Sequence, residues 1–303
     1  MFHQFTYREA LRASERISWR VEDLIGDGKQ LDFRRPFLPE SLAGTATLGF
    51  LSAEERVILN QIRGHGYLYM FGMVEEFILP FVLDHARPML GMDDYRTRAL
   101  LEFAAEEAKH IQLFRRFREA FAAGFGIPCE MIGPPEALAK AVLSHQPLAV
   151  ALAILQIEWM TQRHYLESVR EDPGIDPQFK SLLQHHWMEE AGHAKLDTLM
   201  VGALADGLDQ AAIGRAVDEY LAIIGMLDVG LTQQVAFDLA VFARASGRKL
   251  ACDERAAFVA AQQKAIRWTF LGSGMTHPNF LATVETLSPA ARQRIECIAP
   301  TFC

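Results

Sequence analysis

The chain is poor in cysteine. Among 303 residues there are four, Cys129, Cys252, Cys297 and Cys303, with no Cys-x-x-Cys spacing. That excludes a disulfide framework and a thiolate zinc site, and it fits a reducing, cytoplasmic setting. Sustained period-two alternation is also missing and hairpin turn signals are few, so the expected fold is all-α. Positive charge is not in excess: the formal net charge is −8, and basic residues are scattered apart from short runs such as Arg115-Arg116. No nucleic-acid surface is expected from such a balance. No stretch of about 20 residues is free of charged and polar groups in the way a membrane span requires. The nearest, Gly64 to Leu83, contains or adjoins Arg63, His65, Glu75, Glu76 and Asp84, and reads as a buried core helix, with no membrane partner. Met1-Phe2-His3-Gln4 lacks the basic region and apolar run of a secretory signal.

What is present is a succession of helical patterns. Half of the residues are apolar, ample for a packed core. Pro36 and Pro39 mark residues 1–51 as an extended arm. Ser52-Ala53-Glu54-Glu55 reads as a capping box opening a helix that runs to about Arg87. Asp93 or Asp94 caps the next, which ends near Ala123-Gly124. A short helix follows Gly133-Pro134-Pro135, and another long one spans Leu148 to about Arg170. Asp176-Pro177 supplies an N-cap and a first-turn proline for the fourth long helix, which stops at Ala205-Asp206-Gly207. Further helical patterns cover roughly 209–246 and 253–271, ahead of a tail bearing Gly, Pro and Asn. The expectation is a single all-α domain over 1–303: an arm (1–51), a four-helix bundle (52–206), and additional helices and tail (207–303) packed on it.

Two Glu-x-x-His tetrads stand out, Glu107-Ala-Lys-His110 and Glu190-Ala-Gly-His193. Residues three apart share a helix face, and each tetrad follows a helix with a glutamate of its own. On the first helix, Arg56, Asn60, Arg63 and His85 cluster on one face of the wheel and mark it as wet. Glu76 lies almost opposite them, with Glu75 to one side as its competitor for the inward position. On the third helix Glu158 sits among Ile154, Leu155, Ile157 and Trp159. Unpaired, such carboxylates would be costly to bury.

Two Glu-x-x-His pairs plus two further glutamates are the ligand set of a di-metal site in a four-helix bundle. Carboxylate and imidazole together suit iron or manganese. On the fourth helix His186 shares the face of Glu190 and His193, and the residues alone leave it open between ligand and core histidine. Asp197, one turn beyond His193, is open between a capping or surface group and an acceptor for that imidazole. Glu106, Lys109, His185 and Glu189 rotate away from the shared faces. His65, His85, His145, His164 and His277 form no constellation.

At these residues the chain resembles the ferritin-like di-iron oxygenases, and within them the 4-aminobenzoate N-oxygenase family. The resemblance covers about 52–206 and rests on the pattern His-x-x-x-Glu-x-x-His, matched by His186, Glu190 and His193, with Glu107, His110 and Glu158 in the family order. It implies a ferritin-like bundle holding two iron ions (a Mn/Fe pair uses similar ligands) on Glu107, His110, Glu158, His186, Glu190 and His193, to which the helical wheel adds Glu76 as the first-helix ligand. It also implies an oxygenase that uses O2 and an electron donor to take an aromatic amine toward hydroxylamine and nitro products. A homodimer is compatible with it. Apolar residues such as Phe103, Leu155, Trp159 and Trp187 are candidates for a substrate pocket. The alternatives are a ferroxidase handling iron and a radical-generating subunit, for which Tyr69 and Tyr165 stand one heptad from ligand glutamates.

Overall fold

The computed structural model describes residues 5–26 and 28–303; Met1 to Gln4, where the sequence shows no secretory pattern, lie outside them. Among the described residues there is no strand, only an isolated bridge between Gly26 and Lys29. The arm holds three short helices, α1 (Tyr7–Ser14), α2 (Val21–Leu24) and α3 (Glu40–Ala43). The arm is thus more structured than its prolines suggest. Thr6 caps α1 by accepting the Glu9 N–H at 3.2 Å, a local signal that the irregular flanking sequence conceals.

Four long helices form the bundle. The first, α4 (Ala53–Ala86), starts at the expected capping box: Ser52 Oγ accepts from the Glu55 N–H, and the Glu55 carboxylate accepts from the Ser52 N–H. The second, α5 (Asp94–Phe125), is capped by Asp93 and stops at Gly126, which takes the left-handed φ of 73°. After the short α6 (Pro135–Leu143) comes α7 (Pro147–Arg163), which runs on as a π-helical stretch through His164–Val169. The fourth, α8 (Pro177–Ala205), has Asp176 as its buried cap, accepting from Phe179 N–H (2.7 Å) and from Asp32 N–H (3.0 Å) of the arm.

The arm closes over one side of α4 because side-chain amides satisfy its backbone. Asn60 accepts from the Phe37 and Leu38 N–H groups (2.7 and 2.9 Å) and donates to the Leu38 carbonyl (2.7 Å). Gly64 permits the contact, since a Cβ there would meet Phe37 Cβ at 2.8 Å. The other flank of the bundle is covered by α9 (Gln210–Ser246) and α10 (Cys252–Arg267). Beyond a π-helical stretch at Trp268–Gly272 come α11 (Ser273–Met275), α12 (Pro278–Leu287) and α13 (Pro289–Ile298). Where a tail is expected from the sequence, the prolines open helices instead: Pro278 and Pro289 are the first residues of α12 and α13.

By length and apolar composition alone, Ala53–Met89 and Gln210–Ser246 could cross a membrane. Of the apolar window in the first, 56% is buried against the rest of the protein, as a core helix requires.

Candidate metal centre

The helices α4, α5, α7 and α8 aim their acids and imidazoles at one place. Glu75, Glu107, His110, Glu158, His186, Glu190 and His193 are each 3% exposed or less. Donor atoms of Glu75, His110, His186 and Glu190 lie within 4.8 Å of one another, and so do those of Glu107, His110, Glu190 and His193. The two groups share His110 and Glu190 and are therefore one continuous cluster. Glu158 falls outside both groups and meets the Glu190 carboxylate from α7.

Glu190 Oε1 faces all three imidazoles: His186 Nε2 at 2.9 Å, His110 Nδ1 at 3.1 Å and His193 Nδ1 at 3.4 Å. Glu107 Oε1 stands 2.9 Å from His193 Nδ1, and Glu75 Oε1 stands 3.1 Å from His186 Nε2. The far ring nitrogens are already committed. His193 Nε2 pairs with Glu106 Oε2 and His110 Nε2 with Glu189 Oε2, each at 2.8 Å. Those contacts fix both rings so that Nδ1 looks inward. Lys109 holds Glu189 from outside, and Ser14 Oγ of α1 donates to Glu106 Oε1 at 2.5 Å.

Inside the cluster, hydrogen bonding is incomplete. His110 Nδ1, His193 Nδ1, both oxygens of Glu107, Glu190 Oε1, Glu75 Oε2 and Glu158 Oε2 are buried without a hydrogen-bond partner. Buried polar atoms in folded proteins are almost always satisfied, so acceptors converging without donors fit cations placed between them. Charge gives the same answer. Four buried carboxylates among neutral imidazoles carry a formal −4, which two divalent cations cancel. The donor set, carboxylate oxygen and imidazole nitrogen with no thiolate, fits iron or manganese. One glutamate from each of two helices and a Glu-x-x-His from each of the other two is the arrangement of ferritin-like di-metal bundles.

Electrostatics reflect the crowding. Burial, reinforced by the Glu107 charge, pushes the Glu75 carboxyl up to about 8. Burial and then Glu190 raise Glu158 well above the carboxylate range. Burial also opposes ionisation of Glu190, but the His186 and His193 charges outweigh it and hold that carboxyl well below its usual value. Metal binding at carboxyls whose ionisation is so opposed would displace protons.

Glu76, preferred in the sequence reading, is exposed, and its competitor Glu75 takes the inward position. The reason is that two markers of the wet face are not wet. Asn60 is buried under the arm, and Arg63 is buried beside Asp238 of α9, 3.8 Å away. Covered by segments distant in sequence, those polar residues misorient the wheel. Glu106 and Glu189, read as turned away, are instead the outer partners of His193 and His110. Asp197 is fully buried, with neither oxygen hydrogen-bonded, and His193 does not donate to it.

The residues suggested as pocket-lining lie elsewhere. Phe103 stacks on His193 (3.9 Å between centroids), Trp159 on His277 (5.0 Å) and Trp187 on Tyr165 (4.4 Å), while Leu155 is buried core. Tyr69 donates to the Ile132 carbonyl at 2.6 Å, away from the cluster. A cavity of about 290 Å³ does adjoin the site, with Phe71, Met73, Ile157 and Met160 in its lining. The Phe71 ring stands edge-on to His186, 5.3 Å away. Trp19, brought in by the arm, stacks parallel to His110 at 6.1 Å. Phe71, Phe103 and Trp19 thereby wall the cluster off from water; sequence spacing gives no sign of Trp19.

No protein-family model and no curated protein matches the chain. Among solved structures it is similar to R2-like ligand-binding oxidases. One with an aerobically reconstituted Mn/Fe cofactor is 14% identical over 87% of this chain and 92% of that chain, with a TM-score of 0.44. A point mutant with an aerobically reconstituted Fe/Fe cofactor is 14% identical over 87% and 92%, with a TM-score of 0.42. Another mutant, with an aerobically reconstituted Mn/Fe cofactor, is 15% identical over 87% and 93%, with a TM-score of 0.46. At such identities and scores these likenesses decide nothing about chemistry, and the reading of the site rests on this chain's own residues.

Proposed function

We propose that this chain is a di-metal oxygenase that uses O2 to oxidise a small organic substrate, with N-oxygenation of an aromatic amine as its specific reaction. The observation that carries the reading is the convergence of four buried glutamates and three buried histidines, seven of whose buried donor and acceptor atoms have no hydrogen-bond partner.

Glu75, Glu107, His110, Glu158, His186, Glu190 and His193 would hold two ions, and Glu190 is central to that set because its Oε1 faces all three imidazoles. Bound there, a pair of redox-active iron or manganese ions supplies activation of dioxygen, chemistry that side chains cannot perform. Glu106 and Glu189 keep the ring protons of His193 and His110 on Nε2, so that both Nδ1 atoms stay available. Phe71, Phe103 and Trp19 exclude water, which keeps the charges inside strongly coupled. In the overall reaction one oxygen atom enters the amine as N–OH and the other leaves as water. A cellular electron donor supplies the two electrons, and two protons are taken up from solvent. A third imidazole beside the usual bundle set, from His186, is what favours this reading over iron storage.

Loading the chain anaerobically with Fe(II), admitting oxygen and offering a panel of arylamines tests the reading. Products heavier by one or two oxygen atoms, labelled from 18O2, support it. A growing ferric mineral without amine oxidation would instead identify a ferroxidase, and a stable tyrosyl radical signal a radical-generating protein.

A further inference from the structure

We infer that the cavity beside the metal centre is a binding site for uncharged, apolar amines and that it discriminates against molecules carrying a carboxylate. The inference rests on the oxygenase reading for its connection to chemistry, but the site itself stands on its own geometry. The cavity, about 290 Å³, lies between α4, α6, α7, α9 and the π-helical stretch at Trp268–Gly272. That volume is near the lower end for small-molecule pockets and suits one or two fused rings.

Its floor is buried and apolar, formed in part by Met70, Phe71, Met73, Met160 and Leu271. Its mouth is exposed, at Gly133, Pro134 and Ala137 on one side and Gln233 of α9 on the other. An entry path therefore leads from solvent inward. At the inner end Phe71 belongs both to the lining and to the shell around His186. Val74 and Ile157, also in the lining, are the chain neighbours of Glu75 and Glu158. An occupant would therefore lie against the wall of the cluster.

The chemistry of the lining sets the class of occupant. Among the described residues no lysine, arginine, histidine or acid lines the cavity. Lys140 of α6, beside the lining residue Ala141, is exposed and not itself part of the lining, and Arg118 of α5 is turned onto the Tyr69 ring, 4.6 Å from its centroid, with Tyr69 itself tied to the Ile132 carbonyl. An anion entering would lose its hydration with no cation, and only the Gln233 amide, in the lining to compensate it. Several methionines in the lining offer an adaptable surface to flat or branched apolar groups.

The test is fluorescence titration with 1-aminonaphthalene, uncharged at neutral pH, against 5-aminonaphthalene-1-carboxylate, using both the metal-free chain and the Mn(II)-loaded chain. Saturable binding of the neutral amine, with the carboxylate weaker by about tenfold or more, is expected. Ala137→Trp, at an exposed position where folding is not at stake, should weaken the neutral amine by about tenfold by narrowing the mouth. Gln233→Arg should narrow the gap between the two probes by giving the anion a partner. Equal or tighter binding of the carboxylate by the unmodified chain, or an affinity untouched by Ala137→Trp, would overturn the inference. Counting metal in the same samples separates the two claims. Discrimination without metal uptake sinks the oxygenase reading alone, and two metals with no discrimination sinks the cavity inference alone.

Discussion

His193 Nε2 lies 2.8 Å from the Glu106 carboxylate, a residue of the other Glu-x-x-His helix. The contact is reciprocated: His110 Nε2 meets Glu189 at the same distance. In both halves the glutamate just before the tetrad serves the histidine of the opposite tetrad, so the repeated unit is Glu-Glu-Ala-x-His. Glu106→Ala and Glu189→Ala should therefore each weaken metal binding by about 10–100-fold while leaving the helices formed, because ring orientation and basicity are lost and the inward ligands are not. Titration with Mn(II) against a competing chelator reads the affinity. Unchanged affinity in both variants would remove any role for the pair.

The two adjacent glutamates of α4 should behave differently. Glu75 is 2% exposed and stands 3.1 Å from His186, whereas Glu76 is exposed. Glu75→Gln is expected to lower the number of bound metal ions per chain, and Glu76→Gln to leave it at two. The reverse result would restore the assignment that the helical wheel suggests.

Metal removal should cost stability. The cluster binds its ions in the folded state and cannot assemble in the unfolded chain, so free Mn(II) at 100 times its dissociation constant adds about 2.7 kcal/mol. Calorimetry before and after chelation should show a drop in Tm of several degrees. A Tm indifferent to both metal and chelator would contradict a preformed site.

Acid should destabilise the fold through histidines far from the cluster. His65 stacks on Phe121, 4.6 Å between centroids, and burial, with some help from the Arg118 charge, pushes it down to about 3 from 6.5. A base with a depressed folded pKa favours the neutral form in the fold. Its contribution is therefore complete above about 6.5 and is lost as pH falls toward 3. From pH 6.5 to 5 the loss should be about 2 kcal/mol for this one group. Urea unfolding at both pH values checks it, with His65→Phe expected to show the smaller decline. An equal decline in that variant would show that His65 is not responsible.

Much of this was legible in the chain itself. Caps at Ser52, Asp93 and Asp176, and the proline that opens α8, act locally, so the long helices begin where the sequence says they do. The tetrads are equally local: three residues on a helix define a face whatever surrounds it. What failed depended on contacts distant in sequence. Asn60 and Arg63 look wet until the arm and α9 cover them, and that covering is what places Glu75 inward and Glu76 outward. The doubled glutamates 106–107 and 189–190 carried a signal that spacing on one helix cannot decode, because each outer member works across the bundle. The cavity is assembled from five segments, and no single one of them shows it.

If the seven buried acids and imidazoles hold two metal ions, anaerobic Fe(II) titration with elemental analysis of the desalted protein will count them. Two ions per chain are expected for the unaltered protein, with a marked loss in Glu107→Ala and Glu190→Ala, both checked for helix content. Two ions retained in both variants, or no tightly bound metal in the unaltered chain, would contradict this assignment.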